Sequence, residues 1–295
     1  MRQHFAFGII VLVTTMVQAQ SFEDLQKRIE ARLGQEQGTY AVAMRDLASG
    51  KEILLNERQQ FHAASTMKTP VMIEVFRQAS LGLFSLSDSL DVRNEFRSIV
   101  DGSSYAMDIG EDSDDSMYGL LGKRSTIEAL VYQMITVSSN LATNILIDLV
   151  GADSVTATMR SLGALDIQVL RGVEDIKAFR LGLNNTTTAY DLMVIMAAIA
   201  QGRAGDSSAT AEMIGILAAQ KWRTKIPALL PEGTRVAHKT GSITGVEHDS
   251  GIVFLPDGQA YALALLSKDI ADSKKTNQAL AEVSRMIYDE MTTRR

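Results

Sequence analysis

The 295-residue sequence predicts a mixed α/β fold of the α+β kind, an antiparallel sheet flanked by helices with an inserted all-helical lobe. Three observations predict it. Strand-like segments stand near both ends of the chain, a helix-rich block fills the middle, and no repeat or low-complexity linker splits the sequence into independent parts. With 46% hydrophobic residues, the length supports one large domain made of two packed lobes. The expected layout is a leader over 1–19 and a single domain over 20–295. Its sheet lobe is drawn from 20–62 and 215–295, its helical lobe from 63–214.

The elements follow in order. FEDLQKRIEARL over 22–33 places Phe22, Leu25, Ile29 and Leu33 at helical spacing. TYAVAMRDLASGKEILLNE reads as two strands, 40–47 and 51–56, around a Ser-Gly turn. FHAASTMKTP leads into the apolar helix VMIEVF, and IEALVYQMITV and ATNILIDLV are further helical segments. TTTAYDLMVIMAAIA begins at Thr186 with threonines suited to capping an apolar helix. Strands return as TRVAHKTGSI and GIVFLP, then an Asp257-Gly258 turn and QAYALALLS. A helix over 274–292 closes the chain, with Leu280, Val283, Ile287 and Met291 on one face. A groove between two such lobes is a natural ligand site.

Composition excludes several functions. A formal charge of −6 speaks against nucleic acid and anionic membrane surfaces as partners. The absence of cysteine removes thiol nucleophiles, zinc–thiolate sites and disulfides, so stability rests on core burial. Four histidines without an H-E-x-x-H pattern point away from metal catalysis, and no organic cofactor is implied. At the start, MRQHFAFGIIVLVTTMVQAQ combines a basic beginning (Arg2, His4), an apolar run over 5–17 and a small-residue site at Val17-Gln18-Ala19. This is the pattern of a secretory signal cut after Ala19, too short to span a bilayer comfortably. A mature protein in the periplasm, outside the membrane, is expected; an uncleaved anchor is the alternative.

Three motifs carry chemistry. Ser65 and Lys68 form an S-x-x-K pair at a helix start, where residues three apart share a face. The helix dipole there favours a developing alkoxide, and a buried lysine near other cations releases its proton readily and can serve as a base. A bland surface pair is the alternative. Ser138-Ser139-Asn140 lies between two apolar helices and sets a hydroxyl and an amide two residues apart, although an N-cap explains the same residues. HKTGSITG over 238–245 places Lys239, Thr240 and Gly241 on a strand. The lysine suits a carboxylate, and the glycine would admit a close approach by substrate backbone; a plain strand end with a turn glycine is the alternative.

The order S-x-x-K, S-x-N, K-T-G, over nearly the whole mature chain, resembles the serine penicillin-recognising enzymes and most closely class A β-lactamases, with their β-lactamase/transpeptidase-like fold. The resemblance implies Ser65 as the acylated nucleophile, Lys68 as general base or proton relay, and Ser138 as proton donor to the β-lactam nitrogen. It implies Asn140 as a partner of the substrate amide, Lys239 and Thr240 as carboxylate binders with Gly241 on the strand edge, and the N–H groups of Ser65 and Ser242 as the oxyanion hole. A carboxylate must activate the deacylating water, and Glu174 stands about where the family carries it.

The sequence departs from the family in places. Ser139 replaces an aspartate, for which a local packing change is expected. An acidic insert, GEDSDDS at 110–116, is either a rim loop over the groove or a solvated loop. The family's E-x-x-L-N is absent, Ala178 standing at the asparagine position, so Glu174 is either the base or a partner of Arg171, with Asp175 a lesser candidate. Arg223 and Lys225 are candidates to support Lys239. The expectation is an exported, monomeric serine β-lactamase (EC 3.5.2.6) acting on small β-lactams. A D,D-peptidase or penicillin-binding protein, an esterase of the same fold, or a non-catalytic sensor module are the alternatives.

Overall fold

The computed structural model describes residues 22–293, so the leader expected over 1–19 lies outside the described residues. Helix α1 occupies 22–33. Strands β1 (Thr39–Asp46) and β2 (Glu52–Leu55) follow as a hairpin. Strands β3 (Val236–Ile243), β4 (Val246–Phe254) and β5 (Ala260–Lys268) come from the far end of the sequence. The five form one antiparallel sheet in the order β2-β1-β5-β4-β3. Between β2 and β3 the chain makes α2 (Lys68–Ser80), α3 (Ile127–Thr136), α4 (Asn140–Val150), α5 (Ala152–Ser161), α6 (Ile176–Arg180), α7 (Ala189–Ala200) and α8 (Ser207–Ala218). Helix α9 (Ser273–Thr293) ends the described chain.

Alternation along the strands divides the core in two. On β1, Tyr40, Val42 and Met44 face one cluster with α1 and α9, which contribute Leu25, Ile29 and Ile287. Ala41 and Ala43 face the other way, and β5 repeats the division, Leu263 and Leu265 against Ala262 and Ala264. The small residues line the side on which α7 packs against β1, β4 and β5. That helix, AYDLMVIMAAIA, is apolar nearly all round and almost wholly buried, as a central helix must be. Each fully buried Leu or Ile contributes about 1.5–3 kcal/mol.

Local signals set the boundaries. The Ser-Gly turn between β1 and β2 places Gly50 at φ 73, which glycine adopts without strain. Thr188 caps α7 by accepting the Asp191 N–H at 3.1 Å, while Thr186 and Thr187 pair with Phe61 and His62 in a short ribbon. The main difference from expectation is β4. Its apolar GIVFLP is legible, yet the strand begins at Val246, because Glu247, His248, Asp249 and Ser250 are all buried. Three of them have specific partners: Glu247 pairs with Lys225, His248 Nε2–H donates to His62 O, and Asp249 accepts from Ile226 N–H and pairs with His238.

Candidate active site

The Ser65–Lys68 motif sits on a short 3₁₀ turn, Ala64–Met67, that runs directly into α2. Ala64 holds φ 45, a left-handed conformation that a non-glycine residue keeps only when its surroundings enforce it. The enforcement is visible. Ala63 N–H donates to Asn185 O at 2.8 Å, Ala64 N–H to His62 Nδ1 at 3.0 Å, and the Thr66 N–H and hydroxyl both donate to Ala63 O, at 3.1 and 2.6 Å. Ser65 is thereby presented at the mouth of a cavity of about 210 Å³, lined also by Ser138, Thr240, Ser242, Lys225 and Glu247.

Lys68 is fully buried. Its Nζ donates to Ser138 O at 2.7 Å, Ser138 Oγ at 3.1 Å and Asn140 Oδ1 at 2.8 Å; none of these bonds reaches Ser65. Burial pulls its pKa down to about 7, although Asp112 and Glu174 favour the charged form. Lys239, equally buried, donates from Nζ to Ser138 Oγ at 3.0 Å and to Thr240 O at 2.8 Å. Burial, then repulsion from Lys68, hold its amine well below the ordinary lysine range, with Asp249 opposing. A hydroxyl has two lone pairs and one proton. With both amines donating to Ser138 Oγ, its own proton is left to point into the cavity. Ser138 itself holds φ 64. Lys68 links Ser138 and Asn140 by donating to both, while the capping function belongs to Ser139, whose hydroxyl accepts the Ala142 N–H.

Asn140 bridges to the candidate base. Its Nδ2 donates to Glu174 Oε1 at 3.1 Å, and Asp108 N–H donates to Glu174 Oε2 at 3.0 Å. Burial pushes the Glu174 carboxyl above its usual range, with Asp112 and Asp108 adding repulsion against these hydrogen bonds. A carboxylate with a raised pKa is a better base than an ordinary one. Glu174 is the third left-handed residue at the site, at φ 62. Arg171 does not pair with it; the guanidinium instead donates to Leu183 O, Gly172 O and Asn184 Oδ1, bracing the loop. Asp175 is buried and committed as well, accepting from Ser98 Oγ and Ile99 N–H and capping α6. Ala178 is fully buried in α6 and offers the site no polar group.

Strand β3 forms the opposite wall. Gly241 lies so close to the Ser65 turn that a Cβ there would sit 3.1 Å from both Ser65 N and Thr66 N. The glycine therefore admits the protein's own backbone, where the sequence suggested substrate backbone. Ser242 donates from Oγ to Glu247 Oε2 at 2.6 Å. Glu247 also pairs with Lys225 at 2.7 Å, with both side chains nearly inaccessible at 9% and 3%. Of the two candidates to support Lys239, Lys225 is the one within reach of this wall, 3.4 Å from Ser242 Oγ. Glu247, Asp108 and Asp112 are the residues that sequence reasoning missed. A charged residue flanked by Val246 and His248 gives no sign of burial until its cation is found in space. Among the described residues no cluster of His, Asp or Glu is arranged to hold a metal ion, and no helix is long and apolar enough to cross a membrane.

Residues 24–291 match a model described as the beta-lactamase enzyme family. The extended-spectrum beta-lactamase PER-1 of Pseudomonas aeruginosa is 25% identical, over 92% of this chain and 91% of its own. A crystal structure of a beta-lactamase from Sphaerobacter thermophilus superposes with TM-score 0.77 at 28% identity, over 90% of this chain and 96% of that one. A mutant of PBP-A, solved as an acyl-enzyme complex with penicillin G, gives TM-score 0.79 at 27% identity, over 92% and 97%.

Proposed function

The chain belongs to the beta-lactamase enzyme family, and on that premise we propose that it is an exported serine β-lactamase acting through an acyl-enzyme on Ser65. The observation that carries the reading is the Lys68–Ser138–Lys239 chain, two depressed amines sharing one hydroxyl beside Ser65. Neutral Lys68 takes the Ser65 proton as Oγ attacks the β-lactam carbonyl, with apo hydrogen bonds tightening once substrate is bound. The N–H groups of Ser65 and Ser242 receive the developing oxyanion. The Ser138 proton passes to the ring nitrogen as the amide bond breaks, and Lys68 returns a proton to Ser138 through their hydrogen bond.

Deacylation uses a water activated by Glu174, a role supported by the raised pKa of its carboxyl and by its hydrogen bond from Asn140, which also contacts Lys68. Attack of that water on the acyl carbonyl releases the ring-opened acid and returns the proton to Ser65. Lys239 and Thr240 bind the substrate carboxylate, supported by Lys225. The reading includes a periplasmic, monomeric protein whose helical and sheet lobes close on the site between them.

A second reading, a penicillin-binding peptidase that is acylated but clears slowly, is favoured by the equal likeness to PBP-A and by Ala178, which leaves Glu174 without a neighbouring amide from its own loop. Time-resolved intact mass after mixing with a penicillin separates the two. A transient adduct that decays as penicilloate forms supports the β-lactamase; a persistent adduct without product supports the peptidase. Ser65→Ala should abolish adduct and hydrolysis together, and hydrolysis surviving in that variant would sink the scheme.

A further inference from the structure

The acidic segment around GEDSDDS touches the site from two sides. Asp112 accepts the Asn140 N–H on Oδ1 at 2.8 Å and the Leu141 N–H on Oδ2 at 3.0 Å, while the Tyr118 hydroxyl donates to Oδ2 at 3.3 Å. These two amides open α4, where backbone donors lack intrahelical partners. Ser139 takes only the third, from Ala142, at 3.3 Å. A carboxylate accepting two N–H groups at a helix N-terminus is strongly held by charge-assisted hydrogen bonds and by the helix dipole. Four residues earlier, the Asp108 N–H bonds Glu174. One short stretch of chain therefore grips both the start of α4 and the candidate base.

Asn140 is the residue between. Its Oδ1 accepts from Lys68 and its Nδ2 donates to Glu174, so any slip of α4 moves the proton relay and the water site together. We propose that Asp112 is a positioning residue for β-lactam hydrolysis, clamping the N-terminus of α4 so that Asn140 stays locked between Lys68 and Glu174. The clamp takes over the anchoring for which Ser139 is too short and uncharged. It rests on the serine β-lactamase reading. Its charge acts at the same time. Lys68 faces Lys239 from β3, Glu174 from the loop before α6 and Asp112 from the segment before α3, with Asp249 and Lys225 behind Lys239. Asp112 is the foremost of the charges that keep Lys68 protonated.

The test uses the whole chain with Asp112→Asn and, as a control in the same segment, Asp114→Asn. The pH profile of kcat/KM for a penicillin and the decay of the acyl-enzyme by intact mass are measured for each. Asp112→Asn should shift the acid limb of kcat/KM to lower pH by roughly half a unit to one unit, because a nearby negative charge has been removed from Lys68. It should also slow acyl-enzyme decay about 10-fold or more through misplacement of Asn140. Asp114→Asn should change neither. An acid limb that stays in place in Asp112→Asn, with only the melting temperature lowered, would overturn the proposal, as would an equal shift in Asp114→Asn. If Asp112→Asn does not fold, Asp112→Glu keeps the charge but lengthens the clamp. Slowed decay with an unmoved limb is then expected, and wild-type decay would overturn the role. Absence of any Ser65 adduct in the wild-type protein would defeat the parent reading, whereas an adduct with an unmoved Asp112→Asn profile defeats the role of Asp112 alone.

Discussion

Gly241→Ala tests how tightly the turn carrying Ser65, the proposed nucleophile, is held. The added methyl would lie 3.1 Å from Ser65 N, 3.1 Å from Thr66 N and 3.2 Å from Thr66 Cγ2. Gly241 is not among the glycines with positive φ, so alanine meets no backbone strain there, only crowding. Relief of a few tenths of an ångström can come from β3, an edge strand of the sheet, or from the turn, which is pinned through Ala63. Overpacking of this kind costs about 1–2 kcal/mol, or a fall of about 2–5 °C in Tm for a chain of this size. The atoms displaced are the Ser65 and Thr66 amides, and loss of one oxyanion donor lowers rate by about 10²–10³. The expected result is kcat/KM for penicillin hydrolysis down about 10²-fold with most of the stability retained, read by steady-state kinetics beside thermal melting. A variant within about 3-fold of wild type would refute the reasoning, because it would mean that the Ser65 N–H is not a catalytic donor.

Other outcomes follow from the same contacts. Gly251→Ala should instead lose stability, by about 3 kcal/mol, because its Cβ would stand 2.6 Å from His238 Cβ and 2.8 Å from Ala237 O; a Tm close to wild type would contradict this. With the Lys68 pKa at about 7 and the neutral amine as base, kcat/KM should rise with pH along a limb centred near that value, and a profile already flat at about pH 5 would exclude Lys68 as the titrating base. Lys225→Met leaves Glu247 buried and unpaired and should cost about 3–5 kcal/mol in urea unfolding, while the double variant with Glu247→Leu recovers most of it. Failure of the double variant to recover would show that the pair contributes more than mutual neutralisation. Glu174→Gln should form the acyl-enzyme at a near-normal rate and accumulate it, visible as a persistent mass adduct; unchanged turnover would move the base elsewhere.

Much of the architecture was legible because period and turn chemistry agree. The apolar faces of α1 and α9, the Ser-Gly and Asp257-Gly258 turns and the apolar run of α7 each state one structure. The start of β4 was not legible, since Glu247, His248 and Asp249 are polar residues buried against partners on other elements, Lys225, His62 and His238. Helices α5 and α8 were also missed; α5, ADSVTATMRS, mixes threonine and valine with polar residues and buries only one face. At the site, Ser65 and Lys68 were legible because their spacing is set by a single helix turn, whereas Ser138 and Asn140 were legible only as a short polar stretch between two apolar helices, Ser138 standing outside α4 at φ 64. The link from Asp112 to α4 was not, because it joins residues 28 positions apart, a closure that only the folded chain displays. The close approach at Gly241 was read correctly as a demand for space, but not as to which backbone fills it.

The strand order has a consequence in time. β1 finds its partner in β5, Thr39 opposite Lys268, so the central pairing of the sheet waits until most of the chain exists. Until then α7 has no sheet to cover its apolar face, and the wall carrying Lys239 has not been made. Contacts of such long sequence separation slow folding and lengthen the exposure of sticky intermediates. A chain stopped at residue 235 would hold Ser65, Lys68, Ser138 and Glu174 and still be inert. The strand that brings Lys239 to the site is thus among the last parts of the sheet to be made.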